Sequence, residues 1–575
     1  MPFTNYLIAL FISIVSPTPI NHFTKLDHGE DTDLLLQLND ATTKGSIKGG
    51  SKSLLLQSSI GLKKGQTVIV EIGTEKGGGN LGTVGVGGSW PDTRFATEEA
   101  LIADRTQTVS GIYAVAENTA NVFRWNGKDA WVPFTTWHYY GGKGHSFALI
   151  EKVLDVSDDG RTITIENKAK ATAVAANVYV DNAEFLNEAL NNTANSKITL
   201  PTKGKRYAIG KNIYIKRDKP LFFDGNGCTF FSPQGAPSAN FKLVKTSNSV
   251  IQNFNLQGNG KFKGFAFQKD IYPVGGAFWE NPYVSAGGVQ IEKSTGSVGK
   301  KISVKDVLSY SLQLGDDVDC RFENSTVYPP ESLGYVGWQV HGYSSKGGGF
   351  FDVTLNAPDG GKLCSGFEFF GCTDMVMKNI RGENVVNAIN GGTNIKIIGS
   401  KFVIRGNSLA KWMNMGSPVW DLNGQFNGVV FSGIQIEDME ITQLGFQNGN
   451  LLLNEIYGRD LTPNVSVKNF KSTFPDAVEG TNPHLSVFLW ADGARVENAV
   501  INGKFPAAFY VLKGAAGAQE PYVYGANIAL GYAAVKGKGL GKGYLKNNKA
   551  EFMYAKEGIE LKNNTYKKMV VEPAN

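Results

Sequence analysis

The sequence predicts an all-β chain, most of it a right-handed single-stranded parallel β-helix, preceded by a β-rich attachment or neck region and a short capping helix. Three observations carry this expectation: a composition of turn and strand formers, short alternating segments recurring about every 25 residues, and one amphipathic helical stretch just ahead of them. The 69 Gly, 34 Phe and 21 Tyr combine residues that permit tight turns with residues that fit a pleated, half-buried surface. A net charge of +5 spread along 575 residues argues against nucleic-acid binding and is compatible with an acidic polymer as ligand. The four cysteines, Cys228, Cys320, Cys364 and Cys372, form no CxxC pair, so they read as small buried apolar residues rather than a zinc site or a disulfide framework. No metal or cofactor is expected.

Taken in order, residues 1–45 form an N-terminal segment holding YLIALFISIV at 6–15. That run is far short of the ~20 apolar residues a membrane-spanning helix needs, so no membrane span is expected. It reads as a signal-like or docking segment, with no Lys or Arg before it and no A-x-A site after it. Residues 46–180 form a small β-rich head or neck: a strand in QTVIVEIG, a glycine-rich stretch in KGGGNLGTVGVGGSWP, a hairpin around WNGKDAW within 108–134, and a second hairpin through SDDG within 146–180. Asp155, Ser157, Asp159, Gly160 and Glu166 match a calcium-loop template, but RTITIE alternates as a strand does, and the hairpin reading is preferred.

At 181–192 the pattern changes. Ala183, Phe185, Leu186, Ala189 and Leu190 recur with roughly helical spacing behind Asp181, the expected N-cap. Residues 181–514 then form the β-helix. GVQIEKS, SLQLGDD, GWQVHGY, GFEFFGC, VNAINGG, KWMNMGS and LGFQNGN start at 288, 311, 337, 366, 386, 411 and 444, each a short alternating strand followed by a polar or glycine turn. A coil of that length can bury its inward side chains only by stacking on its neighbours. The preceding helix can cover the open end of the hydrophobic cylinder. Residues 515–575 are assigned to the last coils or a trimer-stabilising end.

Alternation along aligned strands expects Val289 and Ile291, Leu312 and Leu314, Trp338 and Val340, and Phe367 and Phe369 to face inward. It expects Gln290, Gln313, Gln339 and Glu368 to form one outward column, with Glu292, Gly315, His341 and Phe370 one step along. Coils lie about 4.8 Å apart, so Asp316 and Asp317, at the turn two coils from Glu368, are expected roughly 10 Å or slightly more from it. These three acids are the candidate catalysts, because paired carboxylates can divide acid and base roles between them. His341 is a candidate base or proton carrier. Gln313, Gln339, Tyr343 and Glu292 on the strip, and Trp279 and Tyr283 in the long excursion 265–288, are candidate sugar contacts, aromatic faces stacking on pyranose rings. Asp319 is expected to alternate outward with Arg321 and Glu323, in an exposed i, i+2 salt bridge.

DNAEFLNEALNN followed by KITLPTKGKRYAIGKNIYI and the coil repeat resembles bacteriophage tailspikes and capsule depolymerases of the pectate-lyase-like β-helix superfamily, over about residues 181–575. The resemblance implies a homotrimer attached to the virion tail or an adaptor protein through its N-terminal region, cleaving a bacterial capsular or O-antigen polysaccharide outside the cell. A secreted bacterial protein is the alternative setting. Polygalacturonases on this fold carry an Asp-Asp pair followed about one coil later by Gly-His-Gly; Asp316, Asp317 and His341-Gly342 echo that order. Val340 stands before the histidine, however, and no Asn-Thr-Asp lies one coil upstream. The first functional expectation is therefore an endo-acting glycoside hydrolase. A polysaccharide lyase or epimerase, with His341 or Tyr343 as base and Lys346 or Arg321 neutralising a uronate, is the second. A non-catalytic receptor-binding adhesin is the third.

Overall fold

The computed structural model describes residues 33–71, 93–107, 113–116, 121–136, 148–169, 172–258 apart from 235 and 237–239, 288–307, 310–329, 338–357 and 364–405, most of 419–444, and shorter stretches from 454 to 572. Counts below refer to these residues.

From Lys197 onward the chain winds as a parallel β-helix. One 14-stranded sheet takes a single strand from each coil, and a 24-stranded sheet takes, through its central part, two from each. A representative coil runs Val340–Tyr343, Gly349–Phe351, Thr354–Asn356, and the next begins at Cys364–Thr373. Each strand pairs in parallel with its counterpart one coil on, so Leu312, Val340 and Phe367 stack in register. A single apolar core follows, running from Leu38 through Leu312, Phe367 and Ile397 to Ala555. Phe322, Phe350 and Phe369 continue it as stacked rings with centroids 6.0 and 5.7 Å apart. Fully burying each such side chain is worth roughly 1.5–3 kcal/mol, which single coils cannot obtain alone.

Corners are turned by Asn and Asp in the left-handed region, where their short polar side chains are tolerated. These side chains also bond from coil to coil. Asn379 donates to Asp352 at 3.1 Å, Asn394 to Asp374 at 3.0 Å, and Asn469 to Asp438 at 2.8 Å.

The capping helix is Ala183–Asn191, with Ala183, Leu186, Ala189 and Leu190 packed on the core and Phe185 exposed. Its Asn187 and Asn191 side chains satisfy backbone groups of the edge strand Ile213–Ile215: Asn187 accepts from the Tyr214 N–H at 2.7 Å, and Asn191 donates to the Tyr214 carbonyl at 2.6 Å. The edge is thereby closed against further strand pairing. Asp181 is not the N-cap residue. Asn182 occupies that position without a side-chain cap, while the fully buried Asp181 carboxyl accepts from the N–H groups of Ala183 and Gly210.

Both expected N-terminal hairpins are present, Asn121–Trp125 with Trp131–Thr136 and Leu149–Val156 with Thr162–Ile165. The second belongs to a closed six-stranded barrel that the local pattern does not reveal. Closure depends on Ala173–Val180 pairing with both Thr42–Ile47 and Thr67–Val70, more than a hundred residues earlier. The segment 6–15 lies outside the described residues. Among the described residues no helix is long and apolar enough to cross a membrane.

Candidate functional site

One outward column of the 14-stranded sheet differs in register from the expected one. In Val340–Tyr343, Val340 faces in and stacks on Leu312, and Gly342 faces Phe369, whose ring carbon would lie 2.6 Å from any added Cβ. His341 therefore sits between Gln313 and Glu368, and Tyr343 between Gly315 and Phe370. The expected alignment was displaced by two residues: Trp338 is not the inward residue, and Gln339 lies fully buried, accepting from the Ser311 hydroxyl at 2.6 Å. The true order is Gln290, Gln313, His341, Glu368, Ala388, Asp421.

Within this column His341 and Glu368 form a nearly buried pair, Nε2 lying 3.1 Å from one carboxylate oxygen. The other oxygen accepts from Asn390 Nδ2 at 2.5 Å. On its far side the His341 ring meets the Gln313 amide, Nδ1 to Nε2 3.4 Å. With the Gln313 amide nitrogen as donor, Nδ1 is the acceptor of this contact and Nε2 is the ring nitrogen that faces Glu368. Tyr310 lies against the same ring at a centroid distance of 5.0 Å. Tyr343 and Phe370, one step along the strands, stack at 5.6 Å with Tyr343 exposed, forming an aromatic face beside the carboxylate.

The aspartates at the turn take other positions. Asp316 is exposed and left-handed at φ 53°, its N–H bonded to the Tyr343 carbonyl. Asp317 is turned inward and buried. One of its oxygens accepts from the Ser294 N–H and the other from the Gly315 N–H, both at 2.8 Å. Burial outweighs those two bonds and pushes the carboxyl up to about 8. In the neighbouring coils the corresponding corner positions hold Ser294 and Ser345, whose hydroxyls bond backbone carbonyls. Asp317 thus belongs to a corner ladder rather than to the outward column.

Glu292 is held by an ion pair with Lys242. Arg321 lies in the other sheet, paired with Glu323 rather than with Asp319. Lys346 is exposed at the corner. Trp279 and Tyr283 lie outside the described residues.

Three residues beside the pair were not singled out from the sequence: Asn390, Tyr310 and Asp421. Asp421 stands two coils beyond Glu368 with only the small Ala388 between, about 10 Å from it along the stack. The signal for it was the alternation of WDLN. The coil expected at 411–417 falls outside the described residues, and the rung after Val385–Thr393 is Trp420–Asn423. The rung expected from 444 is instead Asn454–Gly458. Among the described residues no cluster of His, Cys, Asp and Glu could hold a metal ion.

No protein-family model and no curated protein matches the chain. Among solved structures it is similar to the catalytic domain of a GH87 α-1,3-glucanase in complex with nigerose, at 11% identity over 91% of each chain with a TM-score of 0.39. It is also similar to a tailspike protein mutant of E. coli bacteriophage HK620, at 11% identity over 68% of this chain and 74% of that one, with a TM-score of 0.42.

Proposed function

We propose that the chain is a polysaccharide depolymerase of the glycoside-hydrolase type, cleaving a bacterial capsular or O-antigen chain in the manner of a phage tailspike. The observation that carries this reading is the placement of Glu368 and Asp421 in one outward column, two coils apart across the small Ala388. Two carboxyl groups roughly 6.5–9.5 Å apart leave room for a water opposite the leaving group, and a two-coil separation of about 10 Å lies nearer that range than the ~5 Å of a double displacement. One carboxyl activates the water and the other protonates the glycosidic oxygen. Tyr343 and Phe370 offer the stacking face for a sugar ring.

Hydrolysis is favoured over β-elimination by the chemistry of the strip. A lyase needs a cation against the uronate carboxylate, and beside the two outward rows the Lys242 ammonium is already held by Glu292 while His341 faces Glu368. The reading carries with it a homotrimer attached to a virion tail through the N-terminal region, which light scattering and binding to tail proteins test. The central experiment incubates the protein with purified capsular and O-antigen polysaccharides and follows reducing ends and absorbance in the near ultraviolet. New reducing ends without unsaturated products support hydrolysis. Unsaturated products overturn it in favour of a lyase, and binding without cleavage leaves an adhesin.

A further inference from the structure

We infer that Gln313, His341 and Asn390 are positioning residues that hold Glu368 as an acceptor at both oxygens, which makes Glu368 the base of the pair and leaves the acid role to Asp421. The division of roles rests on the proposed hydrolase reading; the positioning relay does not. It follows from hydrogen-bond bookkeeping across four coils. Gln313 Nε2 can only donate, so His341 Nδ1 accepts; the remaining ring hydrogen lies on Nε2 and points at Glu368, which must accept it. Asn390 Nδ2 donates to the second oxygen. A carboxylate that meets a donor at each oxygen is arranged to take a proton from water rather than to deliver one to a leaving group. In the opposite arrangement Gln313 would accept through its oxygen, His341 would carry its hydrogen on Nδ1, and Glu368 would be the protonated partner.

The two arrangements differ in an observable that needs no substrate. The chain has six histidines, so protein labelled with ¹⁵N only in histidine, compared with a His341→Gln sample, assigns the ring signals of His341. The expected result is an Nε2–H tautomer in the wild-type protein that becomes mixed in Gln313→Leu. An Nδ1–H tautomer in the wild-type protein overturns the inference. Once a cleaved polysaccharide is in hand, Asn390→Ala and Gln313→Leu should each lower kcat about ten- to hundredfold. In both, the acid limb of the pH–rate profile should move upward with KM little changed; an unmoved limb with a uniformly reduced rate would reduce both residues to a structural role. If Glu368→Gln retains full activity, the hydrolase reading fails while the tautomer result stands separately.

Discussion

Asp317 and Glu368 are both nearly inaccessible, at 2% and 3% exposure, and lie two coils apart on neighbouring parts of the same winding. They differ in what holds them. Asp317 is fixed by backbone N–H groups, which any chain winding this corner presents, and it occupies a position that other coils fill with serine. Glu368 is held by two side chains, His341 from the preceding coil and Asn390 from the following one, each of which could have been another residue without altering the winding. Burial alone therefore does not mark a reactive carboxylate on this scaffold. The property that separates the two is whether the partners are backbone groups of the corner or side chains from neighbouring coils.

The sharpest way to break the comparison is to remove each charge in turn. Glu368→Gln and Asp421→Asn should each lower depolymerase turnover by about 10²–10⁴ with the fold intact, Glu368→Gln also losing about 1–3 kcal/mol where its amide nitrogen meets a donor, whereas Asp317→Ser and Asp316→Asn should leave turnover within about twofold. A collapse of turnover in Asp317→Ser, with the fold intact, would restore that residue to the site.

Asp317 should instead report through stability. Burial raises its carboxyl to about 8, far above the ordinary ~3.9. Between those values the folded chain holds a proton that the unfolded chain has released, so stability is fully present below about pH 4 and is lost as the pH rises toward 8. Unfolding followed between pH 4 and 9 should show that decline in the wild-type protein and a flatter dependence in Asp317→Ser. Equal slopes would mean the corner carboxyl does not carry it.

Beneath the site, Gly342→Ala places a methyl group against the Phe369 ring and should cost about 1–3 kcal/mol, read as a lower denaturant midpoint. The smallest effect is expected at the aromatic face. Tyr343→Ala should raise KM several-fold while leaving kcat and Tm nearly unchanged, and a larger fall in kcat than in affinity would give the ring a role in the reaction itself.

Much of the coil was legible because alternation is a local property. Val289 and Ile291, Leu312 and Leu314, and Phe367 and Phe369 were read as inward from their own strands, and all are fully buried. GWQVHGY was misaligned because a slip of two residues preserves alternation, so Trp338 with Val340 and Val340 with Gly342 satisfy the pattern equally. Only the fit of a missing side chain at Gly342 against Phe369, and of Val340 upon Leu312, separates them. That slip moved His341 from beside Phe370 to beside Glu368, and with it the centre of the candidate site. The Asp-Asp turn misled for a related reason: a left-handed residue at Asp316 reverses the expected alternation, turning its neighbour into the corner.

The repeat length, the alternating strands and the amphipathic helix ahead of them determined by themselves that this chain winds into stacked coils, because each of those signals acts within a few residues. Which side chains meet was decided only by the stacking. Gln313, His341, Glu368, Asn390 and Asp421 span more than a hundred residues of chain, and their proximity is set by register between coils, a quantity that the packing of inward residues selects and that no single strand contains.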